Sequence, residues 1–161
     1  MKTRSLMWYT SLVLMSSVFA QPNNDNSSAA VTEALNKYVP LCGMQSKNLS
    51  EVEKHVVAGE AFSMFEGSHI NWGWVDYRDH HLGPELKEFK EIQYSFSDVK
   101  TRVSGDMAYA TFKSHIAVKM ESREVESESL ATAILMKTAN GWKIQHMHTS
   151  RIPPKKPEEK K

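Results

Sequence analysis

Trp74, Tyr77, Arg78 and His81 are spaced i, i+3, i+4 and i+7, so on a helix they share one face, while Asp76, Asp79 and His80 fall on the others. Two aromatic rings, a guanidinium and an imidazole turned toward a core need partners, because burying such groups unpaired costs kilocalories per mole. This mixture is the lining expected of a small-molecule site, with Arg78 as charge partner of a polar or anionic ligand. The structural alternative makes Trp74 and Tyr77 core residues and Arg78 half of an ion pair.

A second constellation lies at the other end of the chain. Trp142, Ile144, His146, His148 and Ser150 alternate with Lys143, Gln145, Met147, Thr149 and Arg151, so on a strand the first set shares a face. That face is apolar at its start and is expected to look inward, carrying His146 and His148 toward an opening. Imidazole titrates near neutrality and moves a proton if it has a hydrogen-bonded partner, which makes His81 and His148 the acid–base candidates. No carboxylate on the inner faces stands out as the mate of either, since Glu126 and Glu128 have the parity but belong at the rim. Two imidazoles could instead ligate a transition metal, but no third ligand is spaced for it, so neither metal nor cofactor is expected. A histidine satisfied by Ser150 or a backbone carbonyl is the bland alternative. His55, His69, His80 and His115 read as exposed or edge residues.

The elements that must position these groups can be read in order. Val31, Ala34, Leu35 and Tyr38 give one apolar face to a helix starting near Ala29, which Pro40 kinks or ends. Ser50 and Glu53 form a capping-box pattern for a short second helix. Extended chain follows over Glu60–Glu66, Gly67-Ser68 marks a turn, and Asn71 is placed to cap a third helix from Trp72 to Leu82, stopped by Gly83-Pro84. Beyond Lys90 the pattern becomes that of strands: Ile92–Val103, Met107–Met120, Val125–Lys137 and Trp142–Ile152, with turns at Gly105-Asp106, Glu121–Glu124 and Asn140-Gly141. Helices first and a meander second predict an α+β domain whose curled sheet leaves a concave cavity.

The whole chain has 161 residues, with 20 Lys+Arg against 19 Asp+Glu. Met1–Ala20 has a basic start, a short apolar stretch and Val18-Phe19-Ala20 at its end, the pattern of a signal peptide cut after Ala20. The mature protein is therefore expected in the periplasm or secreted, without a membrane span. Residues 21–28 read as a flexible linker, 29–152 as the domain and 153–161 as a disordered charged tail. The body from Gln21 to Ile152 has 14 basic against 17 acidic side chains, which excludes the basic footprint of a nucleic-acid binder. Cys42 is the single cysteine, so no intrachain disulfide is possible, and its helical spacing from Val31, Leu35 and Tyr38 predicts a buried thiol.

The stretch Ala29–Met44, the segment GWVDYRDHHLGP over 73–84 and the ending GWKIQHMHTSR over 141–151 together resemble a SnoaL-like domain of the nuclear transport factor 2 (NTF2-like) superfamily. The ending is also similar to the last strand of the association domain of calcium/calmodulin-dependent kinase II, with its Trp, two alternate His and Ser. The resemblance implies a cone-shaped α+β barrel, N-terminal helices packed on a strongly curved antiparallel sheet, and a homodimer built through the sheets. It also implies a pocket lined by Trp74, Tyr77, Arg78, His81, His146 and His148. The superfamily holds isomerases, dehydratases, cyclases, epoxide hydrolases and non-catalytic proteins, so it does not assign an activity. Two departures narrow it. The stretch where the kinase domain carries a pocket arginine reads Leu130-Ala131-Thr132-Ala133-Ile134, and the tyrosine with two acids of ketosteroid isomerases cannot be placed on the expected inner faces. The sequence therefore predicts a pocket for a small polar or anionic organic molecule, with two alternatives: a cofactor-independent lyase or isomerase using a pocket histidine, or an assembly module.

Overall fold

The computed structural model describes residues 24–41 and 48–154. The expected signal peptide Met1–Ala20, Cys42 and most of the expected tail, from residue 155 on, lie outside the described residues.

Helix α1 spans Asn24–Leu41, starting five residues before the expected Ala29 and taking in most of the expected linker. Its apolar stripe is as the spacing predicts: Val31, Leu35 and Tyr38 are buried in the core. The short helix α2, Leu49–Glu53, is capped by Asn48, whose side chain accepts from the Ser50 and Glu51 amides, so the expected Ser50 box gives way to a cap two residues earlier. A turn of 3₁₀ helix at Gly59–Ala61 leads into strand β1, Ser63–Glu66, and β2, Ser63's partner strand, runs His69–Trp72.

The expected third helix is three pieces. Helix α3, Trp74–Tyr77, passes into a π-helical turn, Arg78–Leu82, and then into α4, Gly83–Glu88. Gly83-Pro84 does not stop the helix. Proline is tolerated in a first turn, where its missing N–H has no partner to lose, and the wider π turn makes room for a new first turn there. The Gly83 amide donates to the Arg78 carbonyl, and a Cβ on Gly83 would lie 2.5 Å from that oxygen, so only glycine fits the junction.

Strands β3 (Glu91–Ser104), β4 (Met107–Lys119), β5 (Glu124–Thr138) and β6 (Gly141–Arg151) form the meander the sequence predicts. The six-stranded sheet has the order β2-β1-β6-β5-β4-β3, with β1 parallel to β6 and every other pair antiparallel. The helices fill its concave side. Ala108, Ala110 and Phe112 of β4, and Ala131, Ala133 and Leu135 of β5, share one buried core cluster with Val31 and Leu35 of α1 and Trp74 and Tyr77 of α3. This is an α+β cone, with helices held inside a curved sheet.

One irregularity reorders the faces of β6. The closing turn is Ala139-Asn140, with Thr138 paired to Gly141, and the register runs cleanly to Leu135 opposite Ile144. It then shifts, so that Ile134 faces His146 and Gln145 is an extra residue. Such a bulge inverts every later side chain. Ile144 is buried, but beyond Gln145 it is Met147 and Thr149 that face the core. His146 and His148, expected inside, are on the outer face of the sheet.

Candidate functional site

The inner cavity is small, about 70 Å³, and lies toward the end of the cone where β1, β6 and α4 meet. Its walls follow from strand alternation: Ser114 from β4, Ser127 and Ser129 from β5, and Thr149 from β6 contribute hydroxyls on one concave surface. Tyr38 of α1, Tyr77 of α3 and Tyr94 of β3 close it from the helix side and the far edge. Met64, Ile116 and Met147 make the rest apolar. Among the described residues, the charged groups lining it are Glu66, the last residue of β1, and Glu85, in the first turn of α4.

His81 stands behind the two carboxylates. Its Nε2 is 3.5 Å from Glu85 Oε1 and 3.7 Å from Glu66 Oε2, and only 9% of its side chain is exposed. On its other side, Nδ1 is 2.8 Å from Asn71 Oδ1. Asn71 in turn donates from Nδ2 to Asp76 Oδ2 at 2.9 Å, which fixes the amide with its oxygen toward the imidazole. Nδ1 of His81 therefore carries a proton, and Nε2 is the nitrogen that exchanges one with Glu85 or Glu66. Asp76 is itself held by the Trp72 amide and by His80 Nδ1. Tyr77 packs its ring against His81, with centroids 5.2 Å apart, and His69 lies 5.4 Å from it on the outside.

The electrostatics follow from this placement. The hydrogen bond to Glu85 raises the His81 pKa above its ordinary value; burial opposes it, and the charges of Glu85, Glu66 and Asp76 reinforce it. Glu66 is pushed above the usual carboxylate range, first by burial and then by the like charge of Glu85, with His81 and His69 pulling the other way. About half of the Glu66 side chain (52%) still reaches solvent at the rim, which keeps that push modest. Two carboxylates thus share one imidazole at the mouth of a hydroxyl-lined cavity.

The residues expected in the pocket divide. Tyr77 lines it, and His81 supports it from behind. Trp74 is fully buried beneath it, packed on Phe62 and Tyr77, and among the described residues its Nε1 has no hydrogen-bond partner. Arg78 is turned away: its Nε and Nη2 bond Asp79 at 2.7 and 2.9 Å on the half-exposed flank of the π turn. The i+4 relation to Trp74 is intact, since the Arg78 amide still donates to the Trp74 carbonyl; it is the bidentate pair with Asp79 that draws the guanidinium to the outside. His146 bonds Ser63 Oγ at 2.8 Å on the outer face, its pKa lowered by burial and then by His148, and His148 is exposed beside Phe65. Neither histidine meets the cavity.

The sequence reading missed Glu66 and Glu85 and gave Asn71 only a capping role, whereas the helix starts after Gly73 without a side-chain cap and Asn71 bonds Asp76 and His81 instead. Glu85 follows His81 at i+4, a pairing concealed by the assumption that Gly83-Pro84 ends the helix. Glu126 is exposed and pairs with His115, and among the described residues no group of three or more His, Cys, Asp or Glu is arranged to hold a metal ion.

Residues 31–154 match the family of SnoaL-like domains. The chain belongs to this family. No curated protein sequence matches it. Among solved structures, this SnoaL-like domain is similar to an NTF2-like superfamily protein from Salmonella enterica serovar Typhimurium, with a TM-score of 0.73 at 18% identity over 84% of this chain and 98% of that one. A candidate dehydratase of the NTF2-like family from Streptomyces avermitilis superposes with a TM-score of 0.71, at 18% identity over 81% of this chain and 99% of that one. The CaMKII hub of S. rosetta gives 0.62 at 17% identity, over 78% and 96%. At these identities the likeness is one of fold.

Proposed function

We propose that this SnoaL-like domain moves a proton on a small polar organic molecule held in the inner cavity, as a cofactor-independent lyase or isomerase. The observation that carries it is the Glu66–His81–Glu85 cluster, in which a carboxyl of raised pKa faces a cavity lined by hydroxyls. A carboxylate shifted toward neutrality is a better base near pH 7 than an ordinary one. Glu66 takes the proton, the His81 imidazolium returns it through Glu85, and a tyrosine or serine hydroxyl steadies the oxygen that gains charge. A volume of about 70 Å³ is well under the ~300 Å³ of drug-sized pockets and favours a molecule of a few heavy atoms. Its two carboxylates, with no cation lining it among the described residues, favour a neutral ligand over the anionic one that Arg78 would have served. His148, the other acid–base candidate, has no part in this reading.

The test is proton exchange in D₂O, followed by NMR, over a panel of small ketones, hydroxyketones and hydroxy acids. Exchange at the carbon next to the carbonyl, lost about a hundredfold or more in Glu66→Gln, is expected. Equal exchange in wild type and variant would sink the reading.

A homodimer through the outer sheet face is the assembly we infer. Cross-strand neighbours place Tyr109, Ile134, His146, Ser63 and Trp72 in one row and Thr111, Thr132, His148, Phe65 and Ile70 in the next. Tyr109, Trp72, Ile70 and Leu130 on this face are each more than half exposed, an apolar surface of the kind that marks protein contacts. The exported location is likewise proposed from Met1–Ala20, and N-terminal sequencing of the mature protein, expected to start at Gln21, checks it.

A further inference from the structure

A groove of about 550 Å³ lies at the opposite end of the cone from Glu66, between α1, α2 and the β5–β6 turn. Ala30 and Ala34 form its floor on α1, and the half-buried indole of Trp142 forms one wall. Lysines from three elements line it: Lys37 from α1, Lys54 just after α2 and Lys143, whose side chain leaves β6 on the face opposite Trp142. Their charges converge on His55 in the same wall; burial first, then Lys37, Lys143 and Lys54, with Glu51 opposing, hold that imidazole below its ordinary pKa.

The lysines are not equivalent. Lys37 pairs with Glu33 at 2.5 Å and Lys54 with Glu51 at 2.6 Å, along one helix each. Lys143 is half-buried and, among the described residues, has no carboxylate partner. The groove therefore keeps one uncompensated positive charge beside a flat aromatic surface, with two more ammonium groups whose exposed ion pairs cost little to open. Its volume falls within the roughly 300–1,000 Å³ of organic-ligand sites, which the inner cavity does not reach.

We propose that this groove is a second binding site, for an aromatic monoanion whose ring stacks on Trp142 and whose carboxylate or phosphate oxygen meets Lys143. The site is independent of the proton-transfer reading: Glu66 and His81 have no part in it. An indole offers a ring-shaped apolar contact, and an ammonium fixes the charged end, so both charge and ring are required of the ligand.

The probe is 2-naphthoate, with 2-naphthamide as its uncharged counterpart, titrated into the full chain by calorimetry and by NMR of the Trp142 indole N–H and the His55 ring. The expected result is saturable naphthoate binding that shifts both groups, weakened about tenfold or more in Lys143→Glu and in the amide. Glu66→Gln should bind the probe as wild type does. Because Lys143→Glu could perturb the β5–β6 turn, Lys143→Gln is measured beside it and should show an intermediate loss at unchanged melting temperature. Absence of saturable binding, equal affinity for the amide, or shifts confined to the inner cavity or outer sheet face would each overturn the proposal.

Discussion

His81 owes its properties to Asn71 and Asp76 as much as to the glutamates. Asp76 orients the Asn71 amide, the amide oxygen holds Nδ1–H, and Nε2 is left to the carboxylates. The raised His81 pKa has a consequence for stability. A group that binds its proton more tightly when folded stabilises the fold fully below its unfolded pKa, near 6.5, and that contribution is lost as pH rises through the higher folded value. The stability advantage of wild type over His81→Gln should accordingly be largest at pH 6 and shrink by pH 9. Urea unfolding of both proteins at the two pH values checks this, and an unchanged difference would mean the imidazole is neutral in the fold. Glu66 and Glu85 were hard to see in the sequence for separate reasons. Glu66 ends a four-residue strand too short to show a period, and Glu85 sits beyond a Gly-Pro pair whose ordinary meaning is a stop.

Elements are where the sequence was most informative and also most misleading. Alternating residues, the glycine at 105 and the asparagine at 140 delimit the four long strands to within a residue or two, because turn chemistry and period are local. Which face of β6 looks inward was not local. Trp142 and Ile144 do face the core, and extending their period to His146 and His148 was wrong because Gln145 bulges, and the bulge leaves no mark in the sequence. The π turn is the matching case on the helical side. A Gly-Pro pair expected to end the helix instead continues it through that wider turn, and the turn depends on Gly83. Gly83→Ala puts a methyl group on the Arg78 carbonyl, a clash with backbone that cannot swing away. We expect a loss of about 1–3 kcal/mol in chemical denaturation and, since His81 lies inside the turn, a shifted His81 ring signal in NMR. A variant as stable as wild type would show the junction to be more pliable than its geometry.

At the scale of the molecule, the outer sheet face carries the predicted assembly. Leu130, exposed at 57% next to Ser150 and Lys113 in the cross-strand register, is a position where a charge should block a partner without touching the core. Leu130→Arg is expected to raise the dimer dissociation constant by about tenfold or more with little change in circular dichroism. Light scattering across a dilution series reads this directly, and a wild type that is monomeric at every concentration would remove the dimer.

The parallel pairing of β1 with β6 sets an order of events. Ser63 meets His146 across 83 residues of chain, and Glu66 meets Thr149 in the same ladder. Every other long-strand contact is made between neighbours in sequence and can form as a hairpin. The β1–β6 seam has to wait for the final strand, with the loop-closure entropy of the whole meander to overcome. Glu66 and the wall bearing Met147 and Thr149 therefore come together last. A chain interrupted before β6 could build the β3–β5 meander and still have no cavity, so whatever chemistry the cone performs begins only once β6 has been made and has docked.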